Sequence, residues 1–224
     1  MNRYCKSALT LLPLLLLRTG FLMLGWGFRS WSEWFASPAR TAVIAGFVLS
    51  FALGVAFTVN LNPFRQTGSD RKSPVAITLG VLGLLGFYAF GAFLDRHSIF
   101  VFPNVELLRW LGVTMWLIGD LVRLFALHEL GRQYSTLLAI QADHELIKTG
   151  LYRWVRHPYY LGQILAEPGI FLALRSPLAI FILGCTVPFV FKRIEMEERV
   201  LIAHFGQRYC DYMHRTWRLL PYVY

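Results

Sequence analysis

Charge is scarce in this chain. Asp, Glu, Lys and Arg make up 16% of its 224 residues against 56% hydrophobic residues, and the mean hydropathy is +0.48. A soluble domain carries about 25% charged residues, so composition excludes that class and points to the membrane. Acidic residues are scarcer still, 13 against 22 Lys and Arg, for a formal charge of +9. No compact basic domain separates from the apolar stretches, so nucleic acid is not the expected partner. The cysteines, Cys5, Cys185 and Cys210, are too few and too scattered for a disulfide framework or a CxxC metal site, and we read them as reduced and structural. No His pair at HxxxH spacing or four-donor set surrounds His128-Glu129 or Asp143-His144, so no metal is expected. The glycine fingerprint of dinucleotide-binding folds is missing too. Arg3 and Lys6 precede the first apolar run, but no A-x-A cleavage site follows Gly20, and that run is expected to stay as a first helix.

Long apolar runs are what the chain has instead. A span needs about 20 apolar residues to cross a hydrocarbon core of about 30 Å. Residues 41–61 and 75–94 contain no charged residue and are flanked by Asn62-Pro63 and Ser73-Pro74. Residues 8–28, interrupted only by Pro13 and Arg18, and 105–127, uncharged from Trp110 to Gly119, complete four spans. Two shorter runs, 159–174 and 177–191, are split by Arg175-Ser176-Pro177, the pattern of a tight helical hairpin. The expected fold is therefore an all-α integral membrane protein of about six membrane helices, the last two a short hairpin followed by a cytoplasmic C-terminal helix. Six helices place the N-terminus, 62–74, 128–158 and 192–224 on one side with 15 Lys and Arg, against five on the other. The positive-inside rule then predicts both termini in the cytoplasm, and they stay there even if the hairpin does not cross. Composition shifts near residue 128: residues 1–127 read as four transmembrane helices, and 128–224 as the catalytic region.

Within that second half the run Gly150-Leu-Tyr-Arg153-Trp-Val-Arg156-His157-Pro158-Tyr159-Tyr160-Leu-Gly162 is the most informative. Pro158 lacks an N–H and disfavours helix at the residue before it, so a helix is predicted to start at Pro158 with His157 at its cap. Its free N–H groups, with Arg153, Arg156 and His157 alongside, offer a seat for an anion such as a carboxylate; alternatively these residues only anchor a helix at the interface. A second cluster runs from Lys192 to Arg199. Arg193 and Glu197 share one helix face there, as do Glu195 and Arg199, and such pairs are ordinarily solvated. The hairpin, however, brings Phe191 back beside Tyr159, so the two clusters converge. Glu167, at membrane depth before Pro168, is read chiefly as structural, pairing with an Arg or lining a polar cavity.

Arg156-His157-Pro158-x-Tyr160-x-Gly162, then Glu197-Glu198, Phe205-Gly206-x-x-Tyr209-x-x-Tyr212 and Arg218-x-x-Pro221 resemble the isoprenylcysteine carboxyl methyltransferase family over about residues 128–221. The resemblance implies an integral-membrane enzyme that takes a methyl group from S-adenosyl-L-methionine at the cytoplasmic face, with a lipophilic acceptor entering from the bilayer. Carried over by position, the cofactor residues are Gln141, His144, Glu145, Leu146, Ile147, Tyr152, His157, Pro158, Tyr159, Tyr160 and Glu197, and Arg193 serves the acceptor. Spacing before His144 departs from the eukaryotic pattern, which weakens Gln141. A guanidinium suits a carboxylate in two-point fashion, which favours carboxyl methylation, whereas an amine acceptor needs a base, with His157 or Glu198 nearest. A phospholipid amine methyltransferase, a sterol-reductase-like enzyme using NADPH and a non-catalytic membrane module are the alternatives.

Overall fold

A computed structural model of the chain describes residues 3–57, 73–103, 106–134 and 145–222. Among them there is no strand, only helices and one isolated bridge between Val155 and Trp217. α1 (Arg3–Trp26) stops at Gly27, whose φ of +94° suits glycine. The chain turns by 89° there, and the short α2 (Trp31–Phe35) follows. Edge-to-face contacts of Trp34 with Trp26 and Trp31, at 5.2 and 5.7 Å between ring centroids, hold the corner. This bend falls at the end of the predicted run 8–28.

α3 (Pro38–Phe57), α4 (Ser73–His97) and α5 (Glu106–Leu130) occupy the other three predicted spans. By length and composition α3 and α5 can each cross a membrane, and the bent α1/α2 pair can form a third span. The hairpin is α6 (Pro158–Ala173) and α7 (Leu178–Phe205). Between them Arg175 takes a left-handed φ of +52°. α7 does not end with the apolar run at 191 but carries on as one helix through the charged cluster, stopping at Gly206, and α8 (Gln207–Met213) follows. Leu22, Phe47, Tyr88, Trp116 and Phe171 fill the main core, so α1, α3, α4, α5 and α6 close around one centre.

Two features set the hairpin. α5 and α6 pack backbone to backbone: a Cβ on Gly119 would lie 2.5 Å from the Ala166 nitrogen, and one on Gly169 2.6 Å from the Trp116 nitrogen. At the turn end, the buried Asp95 collects three arginines. Arg109 donates to both of its oxygens at 2.8 and 2.9 Å, Arg175 Nε donates at 2.7 Å, and Arg40 stands at 3.6 Å. Arg109 also donates to the Ala173 carbonyl, which ties the node to the end of α6. One carboxylate thus joins α3, α4, α5 and the hairpin turn, and its bonds satisfy guanidiniums that would otherwise be buried unpaired.

Candidate active site

The far end of the hairpin gathers the polar residues. Pro158 opens α6 at its first position with His157 as cap residue, as the sequence predicts. Tyr160, in the first turn of α6, faces α7, where Arg193 and Glu197 stand one turn apart. Tyr160 Oη donates to Glu197 Oε2 at 2.8 Å and accepts from Arg193 Nε at 3.3 Å. The phenol therefore links the guanidinium to the carboxylate.

Beside this chain of contacts lies a second one centred on Glu198, which is 3% exposed. Its Oε1 accepts from Arg156 Nε at 3.1 Å and lies 3.2 Å from His157 Nε2, while Oε2 accepts from Arg218 Nε at 3.0 Å. Burial alone would raise the carboxyl's pKa, but the hydrogen bonds and charges of His157 and Arg218 outweigh it and hold the value down to about 2. The anion seat expected beside Arg156 and His157 thus takes a carboxylate of the chain itself. Arg153 does not join it but lies exposed against the Trp154 ring. Glu198 and His157, the nearest bases for an amine acceptor, are engaged with each other.

Next to these clusters a row of rings runs from Tyr134 through Tyr159 to Tyr160, with centroids 5.7 and 5.6 Å apart. The Arg123 guanidinium of α5 lies 5.4 Å from the Tyr159 ring centre. Arg123 Nη1 is 3.5 Å from Glu167 Oε1 and 3.9 Å from Asp120 Oδ1, and among the described residues its buried Nε has no hydrogen-bond partner. Glu167 also accepts from Tyr88 Oη at 2.7 Å, so it is partnered on both oxygens, as its structural reading expects. Sequence reasoning treats Arg123 as a charge inside a span and does not connect it to the site. Its signal is an arginine near the C-terminal end of α5, one turn from Asp120.

Tyr152 is buried, and its carbonyl accepts from Tyr212 Oη at 2.6 Å. Burial, then the field of Glu197, pushes its phenol well above the ordinary value, so it stays a neutral donor. Glu145 is exposed, with Leu146 and Ile147 half-buried, in the irregular approach to Gly150. No side chain of these three hydrogen-bonds to the cluster among the described residues. Gln141 and His144 lie outside the described residues.

Comparison with known proteins finds relatives by sequence and by structure. The sequence profile of the isoprenylcysteine carboxyl methyltransferase family matches residues 111–203, a stretch that includes Arg123, Tyr160, Arg193, Glu197 and Glu198. A protein-S-isoprenylcysteine O-methyltransferase of Tribolium castaneum is 32% identical over 130 residues, 55% of this chain and 46% of that protein. That of Saccharomyces cerevisiae is 31% identical over 136 residues, 55% and 57% of the two chains, and form B of Arabidopsis thaliana 30% over 132 residues, 56% and 67%. This chain thus spans about half the length of the first two. The solved structure of the eukaryotic intramembrane Ras methyltransferase, an isoprenylcysteine carboxyl methyltransferase, superposes with a TM-score of 0.62 at 25% identity, covering 92% of this chain and 75% of that one. By sequence and by fold, the chain belongs to the isoprenylcysteine carboxyl methyltransferase family of membrane proteins.

Proposed function

We propose that the protein transfers a methyl group from S-adenosyl-L-methionine to the carboxylate of an isoprenylcysteine-like acceptor drawn from the bilayer. The observation that carries this reading is the Arg193–Tyr160–Glu197 chain, which brings a guanidinium and a carboxylate to one hydroxyl. The described residues at this end of the hairpin suit the donor. Glu197 accepts only the Tyr160 hydroxyl among its described hydrogen bonds, so it keeps capacity for an ammonium. Gln141, His144, Glu145, Leu146, Ile147, Tyr152, His157, Pro158 and Tyr159 are the remaining residues assigned to holding it, and the unpartnered Nε of Arg123 adds a donor at the membrane side.

When bound, S-adenosylmethionine supplies a sulfonium methyl that is already activated. The chain's own task is therefore to orient the acceptor at about 3–3.5 Å and to keep water out. Arg193 holds the acceptor carboxylate, and its planar fork suits two oxygens. A carboxylate needs no base, and the site offers a poor one: Glu198, held near 2, is surrounded by cations. That favours a carboxylate over a phospholipid amine. We read α1, α3, α4, α5, α6 and α7 as the six membrane helices, with both termini and the site on the cytoplasmic side. In this reading residues 1–127 form the scaffold, from which Arg123 reaches the catalytic region 128–224.

Equilibrium binding of S-adenosylmethionine and of NADPH to the purified protein, with methyl transfer to a farnesylated cysteine, tests the reading. Donor binding without NADPH binding is expected. Arg193→Lys keeps the charge but loses the fork, and it is expected to cut turnover severely while leaving donor affinity nearly intact. Equal loss of donor affinity, or turnover at the parental rate, would show that Arg193 does not serve the acceptor.

A further inference from the structure

The chain beyond α8 contains Arg218, and neither the cofactor nor the acceptor assignment uses it. Segment 216–219 lies alongside 154–157 in parallel. Trp217 N–H donates to the Trp154 carbonyl at 2.9 Å, Arg156 N–H to the Trp217 carbonyl at 2.8 Å, and His157 N–H to the Arg218 carbonyl at 3.2 Å. The last bond matters because His157 is the cap residue of α6, whose backbone N–H has no partner inside that helix. Side chains repeat the connection. Arg218 Nε and His157 Nε2 meet the two oxygens of Glu198, and Arg156 Nη1 donates to the Met213 carbonyl at 2.9 Å. Leu219, buried, packs with Val190 and Ile194 of α7, in the cluster that Tyr160 also lines.

We propose that segment 216–219 is a positioning strap for the donor site, with Arg218 and Glu198 as its positioning residues. They act through His157 and the first turn of α6. The inference rests on the methyltransferase reading for what the site binds. The strap touches the site from outside. It fixes the cap backbone by one hydrogen bond and the imidazole by the shared carboxylate, so Tyr159 and Tyr160 start from one defined helix end. Glu198 serves both Arg218 and His157. Loss of the Arg218 side chain leaves Glu198 Oε2 without this partner and loosens both the carboxylate that orients His157 and the segment whose Arg218 carbonyl holds the cap backbone, much as loss of an outer partner loosens the group it orients.

The purified full chain with S-adenosylmethionine as the probe tests this with Arg218→Ala and Arg218→Lys. Three quantities are read: donor affinity, turnover at saturating donor, and amide hydrogen exchange across 154–160. For Arg218→Ala we expect exchange at 156 and 157 to speed up and donor affinity to fall about tenfold, the scale of one charge-assisted bond. Turnover at saturating donor should remain within about twofold, because the acceptor contacts are untouched. Arg218→Lys folds with the charge kept and is expected to recover most of the lost affinity, so the test stands even if the alanine variant unfolds. Parental donor affinity in both variants would overturn the strap, and so would a fall in turnover with unchanged affinity. Failure of the parental protein to bind S-adenosylmethionine would instead overturn the reading on which the strap rests.

Discussion

Replacing Tyr160 with Phe removes one oxygen from the centre of the site and leaves the ring. The hydroxyl is the donor to Glu197 Oε2 at 2.8 Å and the acceptor for Arg193 Nε at 3.3 Å. A hydrogen bond to a charged group contributes about 1.5–3 kcal/mol; the longer Arg193 contact adds little to that. At about 1.4 kcal/mol per factor of ten, kcat/KM is expected to fall about 10- to 150-fold. Phe keeps the contacts of the Tyr160 ring with Tyr159 and His157, so thermal stability is expected to change little. The assay is transfer of a radiolabelled methyl group from S-adenosylmethionine to a farnesylated cysteine, with both substrates titrated and the melting temperature measured in the same detergent. Loss should fall on both substrates, because Glu197 is assigned to the donor and Arg193 to the acceptor. Parental kcat/KM would refute the bridging role of the hydroxyl. A loss that only parallels a lower melting temperature would show that the effect is one of folding.

Two further outcomes follow from buried charges. Asp95→Asn leaves Arg109, Arg175 and Arg40 facing one another without their carboxylate, a change expected to cost about 3–5 kcal/mol; an apparent melting temperature equal to that of the parent would refute the node. Glu198 has a folded pKa of about 2, below the unfolded value of about 4.3, so its contribution is complete above pH 4.3 or so and is lost as pH falls towards 2. The stability gap between the parent and Glu198→Gln should therefore be full at pH 6 and narrow on acidification through that window, and a gap that stays constant in thermal unfolding would contradict it.

Local signals carried the parts of this molecule that depend on neighbours in the chain. Pro158 sets the start of α6 by its own chemistry, Ser176-Pro177 lies at the hairpin turn, and the four-residue spacing of Arg193 and Glu197 puts both before Tyr160. The bend at Gly27 was legible only as the end of the run 8–28, because a single glycine there does not by itself fix the angle of a turn. The Asp95 node was not legible at all: Arg175 lies 80 residues away along the chain, and long-range pairing of this kind leaves no periodicity. Arg218 and Glu198 illustrate the same limit at the site. Both stand in the family-like pattern, but only the fold shows that the Glu198 carboxylate is shared by Arg218 and His157. Glu197 and Glu198 are adjacent in the chain and differ completely in surroundings, a distinction set by which side of α7 each residue faces.

The length of α7 makes the turn at Arg175 a matter of chemical accuracy. Glu197 stands roughly 30 Å from that turn at 1.5 Å per residue. Over such a distance a rotation of about 1° moves the carboxylate by about 0.5 Å, which stretches a 2.8 Å bond to Tyr160 beyond ordinary hydrogen-bond length. α6 is seated on the α5 backbone through Gly119 and Gly169, so the angular freedom that remains belongs to α7. The Tyr160–Glu197 contact thus depends on an angle set far away along α7, and the clustering of four charged side chains at the opposite end of the hairpin meets that demand by fixing where α7 begins.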